Sequence, residues 1–259
     1  TQQPRFGNPT ARVAETPSGM LNAIGLQNPG LETFIQRDLA FLDAFDTRVV
    51  VNVCGHTEEE YLRVVETLAD QKRVDLLEIN ISCPNVREGG MAFGTDPAMV
   101  EYITSSVKKR AAQPIIIKLT PNVTSIADVA RAAEAGGADG VSLINTITGM
   151  KIDVDRRTFA LANKTGGMSG PAIHPIAVRM VYEAAQAVKI PIIGMGGIAS
   201  AEDALEMILA GATAVAIGTA NFYNPRATLD VIEGIETYMQ DRGVEDIREL
   251  IGAVRQAGG

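Results

Sequence analysis

Six short apolar runs, each followed by a helical pattern with a readable start, constrain the fold of this chain more than any other feature of its sequence. The runs lie at residues 48–53, 76–82, 115–119, 140–145, 190–195 and 214–218. They are rich in Val, Ile and Leu and nearly all apolar, as strands buried on both faces are. Thr57 with Glu60 reads as a capping box, and Asp96 as an N-cap with Pro97 at the first helical position. Ser125 with Asp128, and Ser200 with Asp203, repeat the acidic version of the box. Asn224 with Pro225 opens a further helix, and Gly136 and Gly211 close theirs. Repeated βα units build a parallel sheet. Six units suit a doubly wound sheet, whereas a closed barrel takes eight. Residues 1–25 are rich in Pro and Gly and read as loop plus hairpin. A helix is expected from 30 to 45, with Asn28 and Pro29 at its start. Between Thr146 and His174 lies a polar insertion containing KIDVDRRTF and ANKTGGMSG. Barrel enzymes keep substrate-covering loops at such places.

A chain of 259 residues, 46% hydrophobic and 21% charged, can bury a sizeable core, and one domain over 1–259 is expected. The net charge of −8 argues against nucleic acid or an anionic membrane as partner, since phosphate binding needs clustered Lys and Arg. No apolar run is long enough to span a membrane, and no signal-peptide pattern opens the sequence. Cys54 and Cys83 are the two cysteines, with no CxxC pair. No metal site or iron–sulfur cluster built from this chain is therefore expected, and unpaired thiols fit the reducing cytoplasm.

The polar residues gather just after the apolar runs. Asn52 follows VVV. Asn80 ends LLEIN, with Cys83 and Asn85 immediately after it. Lys118 ends IIIK, and Asn145 and Thr146 end SLINT. In a parallel barrel these are the C-terminal strand ends, where active sites lie. One such Asn would be explained by capping; asparagines and a lysine at successive strand ends are a stronger signal. An amide offers a donor beside an acceptor, matching the imide edge of a pyrimidine or a flavin. The last two strands end in Gly196 and Gly197, and in Gly218 and Thr219. These glycines either make tight βα turns or cradle a phosphate with backbone N–H groups. Their place in the two final units favours the phosphate. Neither forms a GxGxxG fingerprint, so a dinucleotide site is not indicated. Cys54 and His56 are assigned structural roles, His174 that of a cap or surface residue, and the acidic run 58–60 a solvated helix start.

These motifs carry a resemblance. NISCPNVREGG at 80–90 resembles the catalytic loop of class 1 dihydroorotate dehydrogenases, and NAIGLQNPG at 22–30 their substrate loop. IIKLTPN, INT, GGMSGPAIHPIAVRMVYE, GMGGI and GTANF follow in the family's order over essentially the whole chain. NVREGGMAFG is more similar to the NAD-linked 1B type than to the fumarate-linked 1A type. The resemblance implies a (β/α)8 TIM barrel that oxidises (S)-dihydroorotate to orotate in de novo pyrimidine biosynthesis. It implies Cys83 as the base. Asn22, Ala23, Ile24, Gly25, Leu26, Asn80, Asn85, Asn145 and Thr146 would hold the substrate. Asn52, Asn80, Lys118, Ile144 and Gly170 would surround FMN, with Gly196, Gly197, Gly218 and Thr219 at its phosphate. A partner subunit carrying FAD and a 2Fe–2S cluster would pass electrons to NAD, and catalytic chains would pair as a homodimer within a heterotetramer.

The residue types suit that chemistry. Oxidation takes a proton from one ring carbon and a hydride from its neighbour, so a base is needed on the substrate face opposite the flavin. A cysteine thiolate can serve, and its reference pKa near 8.5 makes activity rise with pH. Lys118 would stabilise negative charge on the reduced flavin. In one respect the chain departs from the pattern. The family has a strand–helix unit and a second strand, ending in lysine, ahead of its PRFGNP segment, and neither precedes Thr1. Six parallel strands are therefore expected, with a gap where two more would close the barrel. The residues alone leave two other readings open: a phosphate-binding barrel aldolase with Lys118 as Schiff base, and a catalytically inactive binding fragment.

Overall fold

A computed structural model describes residues 1–82 and 94–255. Each apolar run becomes a strand, and the N-cap signals at Thr57, Asp96, Ser125 and Ser200 become helix starts, whereas Asn224 lies two residues before Arg226, the N-cap of the last α-helix. The chain opens with the hairpin β1 (Val13–Thr16) and β2 (Gly19–Asn22). Then α1 (Leu31–Thr33) passes through a π-helical stretch (Phe34–Leu39) into α2 (Ala40–Leu42). There follow β3 (Val50–Val53), α3 (Glu58–Leu68), β4 (Leu76–Asn80), α4 (Pro97–Lys108), β5 (Ile115–Lys118), α5 (Ile126–Ala135) and β6 (Gly140–Leu143). The insertion supplies β7 (Ile147–Met150), β8 (Ile152–Asp153), β9 (Thr158–Phe159) and β10 (Thr165–Ser169). The chain continues with α6 (His174–Ala185), β11 (Ile192–Met195), α7 (Ala201–Ala210), β12 (Ala214–Ala216) and α8 (Ala227–Arg242).

Six strands form one curled parallel sheet in the order β12-β11-β6-β5-β4-β3. The order runs with the sequence and never reverses, so the sheet lacks the switch point of a doubly wound fold. Consecutive helices from α3 to α8 pack on one another in turn, which sets them side by side as in the outer layer of a barrel. Among the described residues β3 and β12 are the sheet's two edges, and Val50 on β3 is half exposed. The six-strand expectation thus holds.

The core lies between sheet and helices. Leu77, Ile79, Ile115, Ile117, Val141 and Leu143 from the strands meet Val64, Val65, Ile103, Val107, Val129 and Ala133 from the helices, all essentially inaccessible. Alternate strand positions point the other way. There the barrel interior receives Glu78, Asn80, Lys118 and Ser142, which hydrogen-bond one another or their neighbours rather than pack in the apolar layer.

The helix starts depart from their signals in places. Ser200 and Asp203 make a full capping box, and Asp96 caps α4 with Pro97 behind it. Thr57 accepts from the Glu60 N–H, but the Glu60 carboxylate takes the N–H of His56 at 2.6 Å, one residue before the cap. The insertion is more ordered than a polar loop. β7 and β10 join the N-terminal hairpin in a four-stranded antiparallel sheet of order β1-β2-β10-β7, with Asn22 opposite Gly167 and Thr148 also opposite Gly167.

Candidate active site

β6 ends at Leu143, and Ile144, Asn145 and Thr146 lead straight into β7 of the antiparallel sheet. That sheet therefore stands over the C-terminal ends of the parallel strands as a flap. Between them is a cavity of about 720 Å³. The barrel contributes Asn80, Ser82, Thr120, Asn122, Asn145 and Thr146; the flap and its approach contribute Asn22 to Gln27, Thr148, Thr165, Gly166 and Gly167.

The amides lining it are held in fixed orientations. Asn80 Oδ1 accepts from the Ser82 N–H at 3.1 Å and faces Asn145 Nδ2 at 3.5 Å. The Asn145 side-chain Oδ1 takes the Thr146 N–H at 2.8 Å. The Asn122 amide donates to Thr120 and to the Thr146 carbonyl, and accepts from Thr148 N–H. Buried Tyr61 donates its hydroxyl to the Asn80 carbonyl at 2.6 Å, fixing the end of β4 from behind. Gly167 is one place where the flap touches the barrel. A β-carbon there would lie 2.0 Å from the Thr146 hydroxyl oxygen, so only glycine permits the approach.

All the described residues expected to hold substrate, Asn22, Ala23, Ile24, Gly25, Leu26, Asn80, Asn145 and Thr146, meet at this one cavity. Cys83 and Asn85 lie outside the described residues. The expected cofactor residues fall into two adjoining groups. In the first, buried Ile144 packs behind Gly196, Gly197 approaches the Gly170 carbonyl, and Gly170 lies beside Thr219. Thr219 donates to the Ser169 hydroxyl at 2.8 Å. Among the described residues neither the Gly197 nor the Gly218 N–H has a backbone acceptor, and a β-carbon on Gly218 would enter open space. A glycine cradle with free N–H groups fits a phosphate. In the second group, Lys118 Nζ sits 3.4 Å from Glu78 Oε2, and Asn52 donates to the same oxygen at 2.5 Å.

His174 departs from its expected role as a cap or surface residue. It is buried at 6% exposure. Its Nδ1 lies 2.9 Å from the Gly196 carbonyl, which can only accept, and its Nε2 lies 3.0 Å from Glu206. The ring thus ties the glycine turn after β11 to α7. Its place directly before Pro175 suggested a helix start and hid this packing role. Cys54 is buried with its thiol 3.2 Å from Asn52 Oδ1, and His56 is exposed. Asn122, Thr120 and Glu78 were not singled out in the sequence. Asn122 follows IIIK as Asn85 follows LLEIN, so the same strand-end signal marks it. Glu78 is a charge inside an apolar run, a signal of its own.

Fold and site together define an enzyme of the α/β-barrel class, with an amide-lined cavity at its strand ends and an anion cradle beside it. Within that class, the model of the family described as dihydroorotate dehydrogenase matches residues 1–239, and the chain belongs to this family. It is 66% identical over 249 residues to the dihydroorotate dehydrogenase B (NAD(+)) catalytic subunit of Lachnoclostridium phytofermentans, covering 96% of this chain and 83% of that protein. It is 60% identical to the catalytic subunit of the same name from Alkaliphilus oremlandii, covering 96% of this chain and 82% of that one. No helix among the described residues is long and apolar enough to cross a membrane.

Proposed function

We propose that this chain is the FMN-carrying catalytic subunit of an NAD-linked dihydroorotate dehydrogenase, oxidising (S)-dihydroorotate to orotate in the cytoplasm as a step of pyrimidine biosynthesis. The observation that carries the reading is the cavity itself. Asn22, Asn80 and Asn145 bring three side-chain amides to one space under the flap, and amides suit a planar ring edged with imide groups. The names of the relatives support it.

The residues present fit the cofactor. Gly196, Gly197, Gly218 and Thr219 would hold its phosphate, and Asn52, Asn80, Lys118, Ile144 and Gly170 would surround the flavin. When bound there, the flavin supplies a two-electron acceptor. The chain's own residues do the rest. Asn80 and Asn145 orient the pyrimidine, and the flap residues 22–26 cover it and exclude water. Cys83, next in sequence after Ser82, takes the proton from the substrate ring carbon. Lys118 offers a fixed positive charge where negative charge develops.

Electrons leave for NAD through a second subunit carrying FAD and a 2Fe–2S cluster, since this chain has two cysteines and no dinucleotide fingerprint. The catalytic chains pair as a homodimer within a heterotetramer, and residues 1–259 act as one domain.

The test is the visible spectrum. The purified full-length protein is expected to be yellow, to release FMN and not FAD on denaturation, and to bleach on anaerobic addition of dihydroorotate. A colourless protein that dihydroorotate leaves unchanged after FMN is supplied overturns the reading.

A further inference from the structure

Glu78 is the meeting point of three strands. It stands in the middle of β4, flanked in sequence by the fully buried Leu77 and Ile79, and its side chain turns instead to the barrel interior. Three donors from three neighbouring strands converge on its carboxylate. Ser142 of β6, itself completely buried, donates its hydroxyl to Oε1 at 2.6 Å. Asn52 of β3 donates its amide to Oε2 at 2.5 Å. Lys118 of β5 places its ammonium 3.4 Å from the same Oε2. The side chain of Glu78 is 12% exposed and that of Lys118 19%, so solvent screens the pair weakly. Register explains the convergence. Asn52 and Ile116 are the direct partners of Glu78, and Lys118 lies one inward position further along β5, opposite Asn80 and Ser142. The carboxylate thus lies one layer below the ring of polar strand ends and reaches up to it.

A carboxylate at the bottom of a ligand site has two effects on what lies above. It fixes geometry: with Asn52 Nδ2 engaged below and Asn52 Oδ1 facing the Cys54 thiol at 3.2 Å, that amide cannot rotate freely. It also sets charge: the positive field of Lys118 is partly offset by a negative group close behind it. We propose that Glu78 is a positioning residue for the flavin site, which aims Lys118 and Asn52 and, by offsetting the lysine charge, holds the reduction potential of the bound flavin below the value that Lys118 alone would give. The proposal rests on the FMN reading above and adds a residue and a quantity to it.

Glu78→Gln tests it, because the amide keeps the size and one acceptor while removing the charge. Wild-type and variant full-length proteins are loaded with FMN, and the midpoint potential of the bound flavin is measured by anaerobic dye equilibration, with FMN affinity alongside. Loss of a negative charge favours electron uptake. The expected result is a shift of about tenfold in the reduced-to-oxidised equilibrium, upward, or about 30 mV for two electrons. Glu78→Asp is the second variant. It keeps the charge but falls one methylene short of Lys118, so its FMN affinity is expected to drop while its potential stays nearer to wild type than that of Glu78→Gln. A Glu78→Gln protein that binds FMN normally with an unchanged or lowered potential overturns the proposal. Failure of both variants to fold assigns Glu78 to stability alone and overturns it equally. Wild-type protein that takes up no FMN strikes the functional reading first, a result distinct from either.

Discussion

Cys83 is the residue on which the proposed chemistry turns. Replacing it with Ala removes the proton acceptor and leaves the phosphate glycines, Lys118 and the amides untouched. FMN and orotate should still bind, while stopped-flow reduction of the flavin by dihydroorotate slows by about 10²–10⁴-fold, the cost of losing a general base. Cys83→Ser should recover a little activity only at high pH, since a hydroxyl is a far weaker acid than a thiol. A Cys83→Ala protein reducing its flavin near the wild-type rate would move the search for the base elsewhere. The sequence made the site legible where polar residues interrupt or end apolar runs: Asn80, Asn145, Thr146 and Lys118 stand at strand ends, and only strand ends put such residues beside a cavity. A charge inside an apolar run marks Glu78 but not its partners, and nothing marks the packing role of His174, because both roles come from partners on other elements. Ser142 is 64 residues from Glu78 and Glu206 is 32 from His174, and no local pattern brings either pair together.

At the scale of elements, the parallel strands could be read from β-branched apolar runs, and the helices from their caps, because both signals are local. The flap could not. β10 is the segment Thr165–Ser169, TGGMS, which lacks apolar alternation and carries two glycines; it becomes a strand because β2 and β7 flank it and supply the hydrogen bonds. Its Gly167 gives the flap a sharp test. Gly167→Ala would drive a methyl into the Thr146 hydroxyl and lift the flap from the strand ends. The expected outcome is a KM for dihydroorotate raised about tenfold, roughly 1.4 kcal/mol of binding, with FMN content unchanged because the cradle glycines lie elsewhere. Steady-state kinetics with an artificial electron acceptor measures it. An unchanged KM would show that the flap tolerates the methyl and that its seating does not govern substrate affinity.

For the whole molecule, the question is where the electrons go. The isolated catalytic chain, loaded with FMN, should oxidise dihydroorotate with a dye as acceptor but reduce NAD⁺ far more slowly than the enzyme assembled with its partner subunit. Parallel assays with dye and NAD⁺, before and after adding the partner, separate the two, and equal NAD⁺ rates with and without it would dispense with the partner. The flap has a further consequence, in the order of events during synthesis. β1 and β2 emerge early, but the strand that pairs β2 emerges about 145 residues later, as the contact from Asn22 to the Gly167 carbonyl measures. A lone two-stranded hairpin is marginal in water, and closing so long a loop carries an entropic cost that only the finished contacts offset. The N-terminal hairpin must therefore wait, unpaired on one edge, while three βα units and a fourth parallel strand of the barrel are made. The roof of the substrate cavity is laid from the two ends of a long detour, after the walls are up.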